Sequence, residues 1–196
     1  METTLKKNTR TRQHNPQVNL ARGLLLGLIG GIAGTLVMDI VLMGALSAVG
    51  MPSLTCFSIV GDTVKQSFST LGITLAGGVL TGIAAHYLVG PLFGIIFGAL
   101  IVKVNALHVD TRKKAIFLAV LYVELISQPI LALTPKLLKM TAKDTLVWFG
   151  ASFVMHFLYG VVLGAIVSLK STSIKIENQA YTVGRGSQGA SDGKLN

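Results

Sequence analysis

The sequence predicts an all-α, polytopic membrane four-helix bundle, and three observations carry that prediction. Of the 196 residues, 51% are hydrophobic and 13% charged, with a mean hydropathy of +0.66; a soluble domain carries about 25% charged residues. The lysines and arginines gather in segments that flank four long apolar runs. Within those runs, small residues recur at every fourth position. Gly78, Gly82, His86, Gly90, Gly94 and Gly98 form one column, and Ser152, His156, Gly160, Gly164 and Ser168 form another. Small residues at i, i+4 share a helix face and let two backbones approach closely inside a bilayer.

Residues 1–19 are polar and basic and read as a flexible cytoplasmic tail, with Pro16 opposing a helix extension. The first span is expected over about 23–49. Gly23, Gly27, Gly31, Thr35 and Asp39 make a third i, i+4 column within it. Ala45-Leu46-Ser47 mimics a signal-peptide cleavage site, but the apolar run before it is too long for an h-region and contains Asp39, so the span is expected to be retained. Residues 50–71 are half apolar and suit a short interfacial helix around 54–68.

The second span is expected within 71–102. It exceeds the ~20 residues a bilayer core requires, and Pro91 inside it predicts a kink. The third span is expected at about 115–133 and carries Glu124, Ser127 and Gln128 ahead of Pro129. The fourth is expected at about 146–169, with Trp148 near its start as an interfacial anchor. These spans form one transmembrane domain over 20–170. Residues 171–196 are rich in Ser, Gly, Asn and Gln and read as a disordered cytoplasmic tail.

Charge placement predicts orientation. With the N-terminus inside, thirteen Lys and Arg lie on the cytoplasmic side and four on the other. That bias predicts a multi-pass cell-membrane protein with both termini cytoplasmic. It also assigns the net charge of +9 to lipid headgroups and topology rather than to nucleic acid. The single cysteine, Cys56, excludes an intrachain disulfide. Spans two and four share the motif His-aromatic-Leu-x-Gly-x-x-x-Gly, at His86-Tyr87-Leu88 and His156-Phe157-Leu158. The chain therefore also suits two parallel-repeat hairpins related by an axis along the membrane normal.

Four ionisable groups fall within the spans. Counted from the cytoplasmic basic residues at about 1.5 Å per residue, Asp39, His86, Glu124 and His156 lie roughly 26, 26, 15 and 21 Å deep. Asp39 and His86 are the best match. A carboxylate at the centre of a helix costs about 2.5–3.5 kcal/mol to insert, so each group is expected to face the interior and find a partner. Gln128 shares a helix face with Glu124.

These residues suit proton or ion handling, with His86 and His156 as proton acceptors whose basicity Asp39 and Glu124 set. They also suit ligation of a metal or haem, passage of a small solute, or a packing device that holds helix register. Two histidines without a third ligand make a weak metal signal, so neither a cofactor nor a metal is expected. Gly27, Gly31, Gly82, Gly90, Gly94, Gly160 and Gly164 are expected to serve helix packing. Remaining glycine faces leave room for a homo-oligomer or a membrane-protein partner. The sequence holds no G-x-S-x-G, phosphate loop or H-E-x-x-H, so no enzymatic activity is expected. The reading is an integral membrane protein for small ion, proton or solute passage, with a structural or accessory subunit as the alternative.

The His86–Gly94 and His156–Gly164 segments, Val37-Met38-Asp39, and Leu133-Thr134-Pro135 before Leu146-Val147-Trp148-Phe149 together resemble small four-helix integral membrane proteins of the YagU-like, domain-of-unknown-function kind. Asp144-Thr145 stands where that family would place a histidine. The resemblance covers about 20–169 and implies a four-span membrane protein with no assigned reaction.

Overall fold

A computed structural model describes residues 16–104, 109 and 111–169. Both expected tails lie outside the described residues, apart from 16–19. The described chain is helical in the order α1 (Pro16–Ala48), α2 (Thr55–Ser69), α3 (Val79–Lys103), α4 (Arg112–Leu131), α5 (Leu133–Leu137) and α6 (Ala142–Val167). Four stretches, Leu20–Ala48, Val79–Lys103, Arg112–Leu137 and Ala142–Val167, are long and apolar enough to cross a membrane. Large apolar side chains such as Ile40, Leu80, Leu88, Phe117 and Leu146 are exposed around the outside of the bundle, as lipid contact requires.

Local chemistry explains where the element ends depart from the sequence expectation. Helix α1 begins at Pro16 and takes in 16–19, because proline at the first helical position loses a donor that has no partner there anyway. Helix α3 starts at Val79 rather than near 71. Gly72 and Gly78 take left-handed φ values of 76° and 79°, which break the run into a turn and an extended segment before the helix. Helix α6 starts four residues early because Thr141 caps it, accepting from the Asp144 amide at 3.2 Å and donating to the Asp144 carboxylate at 2.7 Å. The short helix expected near 54–68 is α2, while α5 lies in a segment that reads as loop.

Each half of the chain repeats one plan: a long helix, a short helix and a long helix running back. Helices α1 and α3 pack side by side, as do α4 and α6, and α1 also packs on α6. The halves are not equivalent in detail. Helices α3 and α4 meet chiefly through Tyr122, whose hydroxyl donates to the Phe93 carbonyl at 3.1 Å and whose ring lies against Phe97. The two short helices touch at one end of the bundle, where Thr63 of α2 donates to Thr134 at 3.2 Å. The core proper occupies the opposite half and centres on Phe97, Ala119, Val123, Tyr159, Leu163 and Val167.

Candidate functional site

The glycine columns meet each other. A methyl group built at Gly27 would overlap the Gly94 carbonyl, and one at Gly94 would overlap the Gly27 carbonyl. Gly23 meets Gly98 in the same way, and Gly31 meets Gly90 and Pro91. One turn on, Thr35 lies against Gly90 with its hydroxyl donating to the Gly31 carbonyl at 2.9 Å. The next pair in this antiparallel register is Asp39 and His86, with 3.0 Å between Asp39 Oδ1 and His86 Nδ1. The close approach that glycine permits therefore sets the distance at which the acid and the imidazole face each other.

Helix α2 covers that pair. It comes equally close, because a methyl at Gly82 would overlap the Phe57 carbonyl and one at Gly61 the Gly78 carbonyl. Asp62 Oδ1 accepts from the Gly78 amide at 2.9 Å and fixes the start of α3. Phe57 places its ring edge-on to His86 at 5.1 Å between centroids. Asp39 is only 3% exposed, and its second oxygen is enclosed without a partner.

In the other half, Gly164 lies against Ile116 and Gly160 against Val120. The same register brings His156 to the level of Glu124, but the two do not bond. Glu124 accepts from Gln128 Nε2 on its own helix at 2.7 Å. His156 Nδ1 donates to the Ser152 carbonyl at 2.7 Å. The expected pairing of acid with histidine thus forms once. Its counterpart is replaced by two contacts within single helices.

Both histidines line one cavity of about 640 Å³. It occupies the half of the bundle that holds α2 and α5, and its walls are mostly apolar. Cys56, Ser127 and Trp148 share the lining; Asp39, Glu124 and Gln128 do not contribute to it. Tyr159 forms part of the floor, donating its hydroxyl to the Gly90 carbonyl while its ring covers Gly34. Ser127 is 3% exposed and its hydroxyl has no partner. Burial, then the Asp39 carboxylate, pushes the Cys56 thiol up to about 12. Among the described residues, no three His, Cys, Asp or Glu converge to hold a metal ion.

Trp148 is buried in this wall rather than anchored at an interface. Its indole N–H donates to the Leu131 carbonyl at 3.2 Å. Helical continuation would satisfy that carbonyl from residue 135, which is proline and has no N–H. The pairing was legible only in part: Pro135 marks the orphan carbonyl, but nothing in the sequence says which donor fills it. Cys56 and Ser127 carried no signal beyond their residue types. Comparison of the chain with protein-family models, with curated proteins and with solved structures finds no match.

Proposed function

We propose that this membrane protein takes a small, mainly apolar solute into the half-bundle cavity and serves its passage across or out of the bilayer. The observation that supports this reading is the convergence of His86 and His156, one from each glycine column, on a single apolar-walled cavity of about 640 Å³. A packing device would use both histidines up in closed contacts. Here each bonds through one ring nitrogen, His86 also meets the Phe57 ring, and both histidines still border the cavity. Free ion conduction fits less well, because the cavity ends on Tyr159 and the core beneath it, and Glu124 bonds to Gln128 away from the lining. The thirteen-to-four distribution of basic residues supports an orientation with both termini cytoplasmic. The cavity then opens toward the outer leaflet.

The chain has one tryptophan, and it lies on the cavity wall. A brominated alkane titrated into the full chain in lipid nanodiscs should quench Trp148 saturably. Quenching that rises linearly, as for a tryptophan peptide free in the bilayer, overturns the proposal in favour of an accessory subunit held together by its glycine seams.

A further inference from the structure

Helix α4 is occupied on three sides and bare on the fourth. Ala119 and Val123 are buried in the core, Ile116 and Val120 meet the glycines of α6, and Tyr122 meets α3. The remaining side carries Phe117, Leu121, Glu124 and Gln128, spaced four, three and four residues apart. That spacing makes one straight stripe, the pattern by which a helix packs along a second helix. Phe117 is 65% exposed and Leu121 44%, and the span that holds them is the least buried of the four.

Gln128 interrupts this apolar surface about 13 Å inside the Leu137 end of the span. Its Nε2 donates to Glu124 at 2.7 Å, and its second N–H and its Oε1 have no partner among the described residues. The Gln128 Oε1 is not enclosed. Neither Gln128 nor Glu124 lines the cavity, so the open amide edge faces outward, where acyl chains offer neither donor nor acceptor. The unpartnered oxygen of Glu124 is enclosed, so Glu124 steadies the amide and makes no outward hydrogen bond through that atom.

We infer that this side of α4 binds a second copy of the chain, with Gln128 pairing to Gln128 of that copy. A primary amide is its own complement: one N–H donates and the carbonyl accepts, so two amides across a two-fold axis close two hydrogen bonds. Copies inserted in one orientation are related by an axis along the membrane normal, which sets the two amides at one depth. A partner that offers a cation satisfies only the carbonyl, and one that offers a carboxylate satisfies only the N–H. The inference is independent of the cavity reading, because the residues that carry it lie outside the lining.

The test is energy transfer between donor- and acceptor-labelled full chains in phosphatidylcholine vesicles, followed as lipid dilutes the protein. Transfer should fall along a monomer–dimer curve. Gln128→Leu should weaken the dimer about sevenfold, the ratio that two interhelical hydrogen bonds give in a bilayer. Oxidative cross-linking keeps the unmutated amide and needs no Gln128 variant. In a Cys56→Ala chain, Leu121→Cys on the stripe should form a disulfide-linked dimer. Leu88→Cys, 72% exposed on α3, should not. Monomers at every dilution overturn the inference and leave the stripe to lipid or to a different chain. So does equal cross-linking at the two positions, and so does a folded Gln128→Leu chain with an unchanged dilution curve. If Gln128→Leu fails to fold, the unmutated dilution curve and the cross-linking pattern decide.

Discussion

Asp39 and His86 face each other at 3.0 Å, one turn beyond a seam in which glycine meets glycine three times. The seam explains why a buried acid and an imidazole hold this geometry in a medium that stabilises neither alone. Removing one partner leaves the other unsatisfied at a cost of about 1–3 kcal/mol. Asp39→Ala should therefore lower stability by about that amount in thermal unfolding followed by circular dichroism. Asp39→Asn keeps an acceptor in place and should lose less than half as much. Equal losses for the two variants would mean that packing volume, not the bond to His86, is what Asp39 supplies.

Glu124 is the contrasting case. One of its oxygens accepts from Gln128 while the other is enclosed with no partner. An amide in the same space avoids desolvating a charge. Glu124→Gln should be neutral or stabilising in the same unfolding assay, and a loss above about 1 kcal/mol would show that the carboxylate has a partner the bundle does not itself supply.

The glycines divide into two kinds by what surrounds them. Gly27 faces the Gly94 carbonyl, which as helix backbone cannot move aside, whereas Gly44 and Gly150 have nothing near the position a methyl would take. Gly27→Ala should force α1 and α3 apart and reduce the yield of folded protein in size-exclusion chromatography. Gly44→Ala and Gly150→Ala should be neutral or gain up to about 1 kcal/mol from helix propensity. A Gly27→Ala chain as stable as the Gly44→Ala chain would show that α1 and α3 do not pack on this seam.

These seams were the most legible part of the molecule, since a four-residue period of small side chains directly states which face must be buried against backbone. The match of Asp39 to His86 followed from depth alone. Glu124 and His156 defeated the same reasoning: counted from the basic residues they lie roughly 15 and 21 Å deep, the helix register brings them level, and each still bonds within its own helix. The cavity was not legible at all. Its walls draw on α2 and α5, and α5 is too short, at five residues, to leave a period in the sequence. Trp148 misled for a related reason: its position near a helix start suggested an interface, while its actual partner is a carbonyl orphaned by a proline thirteen residues earlier.

Cys56 lies in α2, against the cavity, with its thiol pushed up to about 12 by burial and by the Asp39 carboxylate. A thiol alkylates as thiolate, so at pH 8 its reaction with a maleimide should be about a hundredfold slower than that of an exposed cysteine, after allowing for the greater nucleophilicity of a more basic thiolate. The linkage to stability has a definite sign. Below the ordinary value of 9.0 both folded and unfolded chains hold the proton, and the contribution is constant. Above it the unfolded chain ionises first, so stability should fall as pH rises from 9.0 toward 12. Cys56→Ala should flatten that alkaline decline. Fast labelling at pH 8 together with an unchanged decline in the variant would place Cys56 in an exposed position.

The bond from Trp148 to the Leu131 carbonyl can be tested through the proline that makes it necessary. Trp148→Phe keeps an aromatic ring in the wall but leaves the carbonyl unpaired in apolar surroundings, at a cost of about 1–3 kcal/mol. Pro135→Ala restores an N–H four residues beyond Leu131, where a helical bond can form, and should by itself have little effect because the indole already occupies the carbonyl. In the double variant the new amide should take over from the missing indole. A double-mutant cycle by thermal unfolding should then show coupling of about 1 kcal/mol, with Pro135→Ala recovering much of what Trp148→Phe loses. Simple additivity of the two losses would mean that the indole contributes by filling the wall, and that the Leu131 carbonyl finds its hydrogen elsewhere.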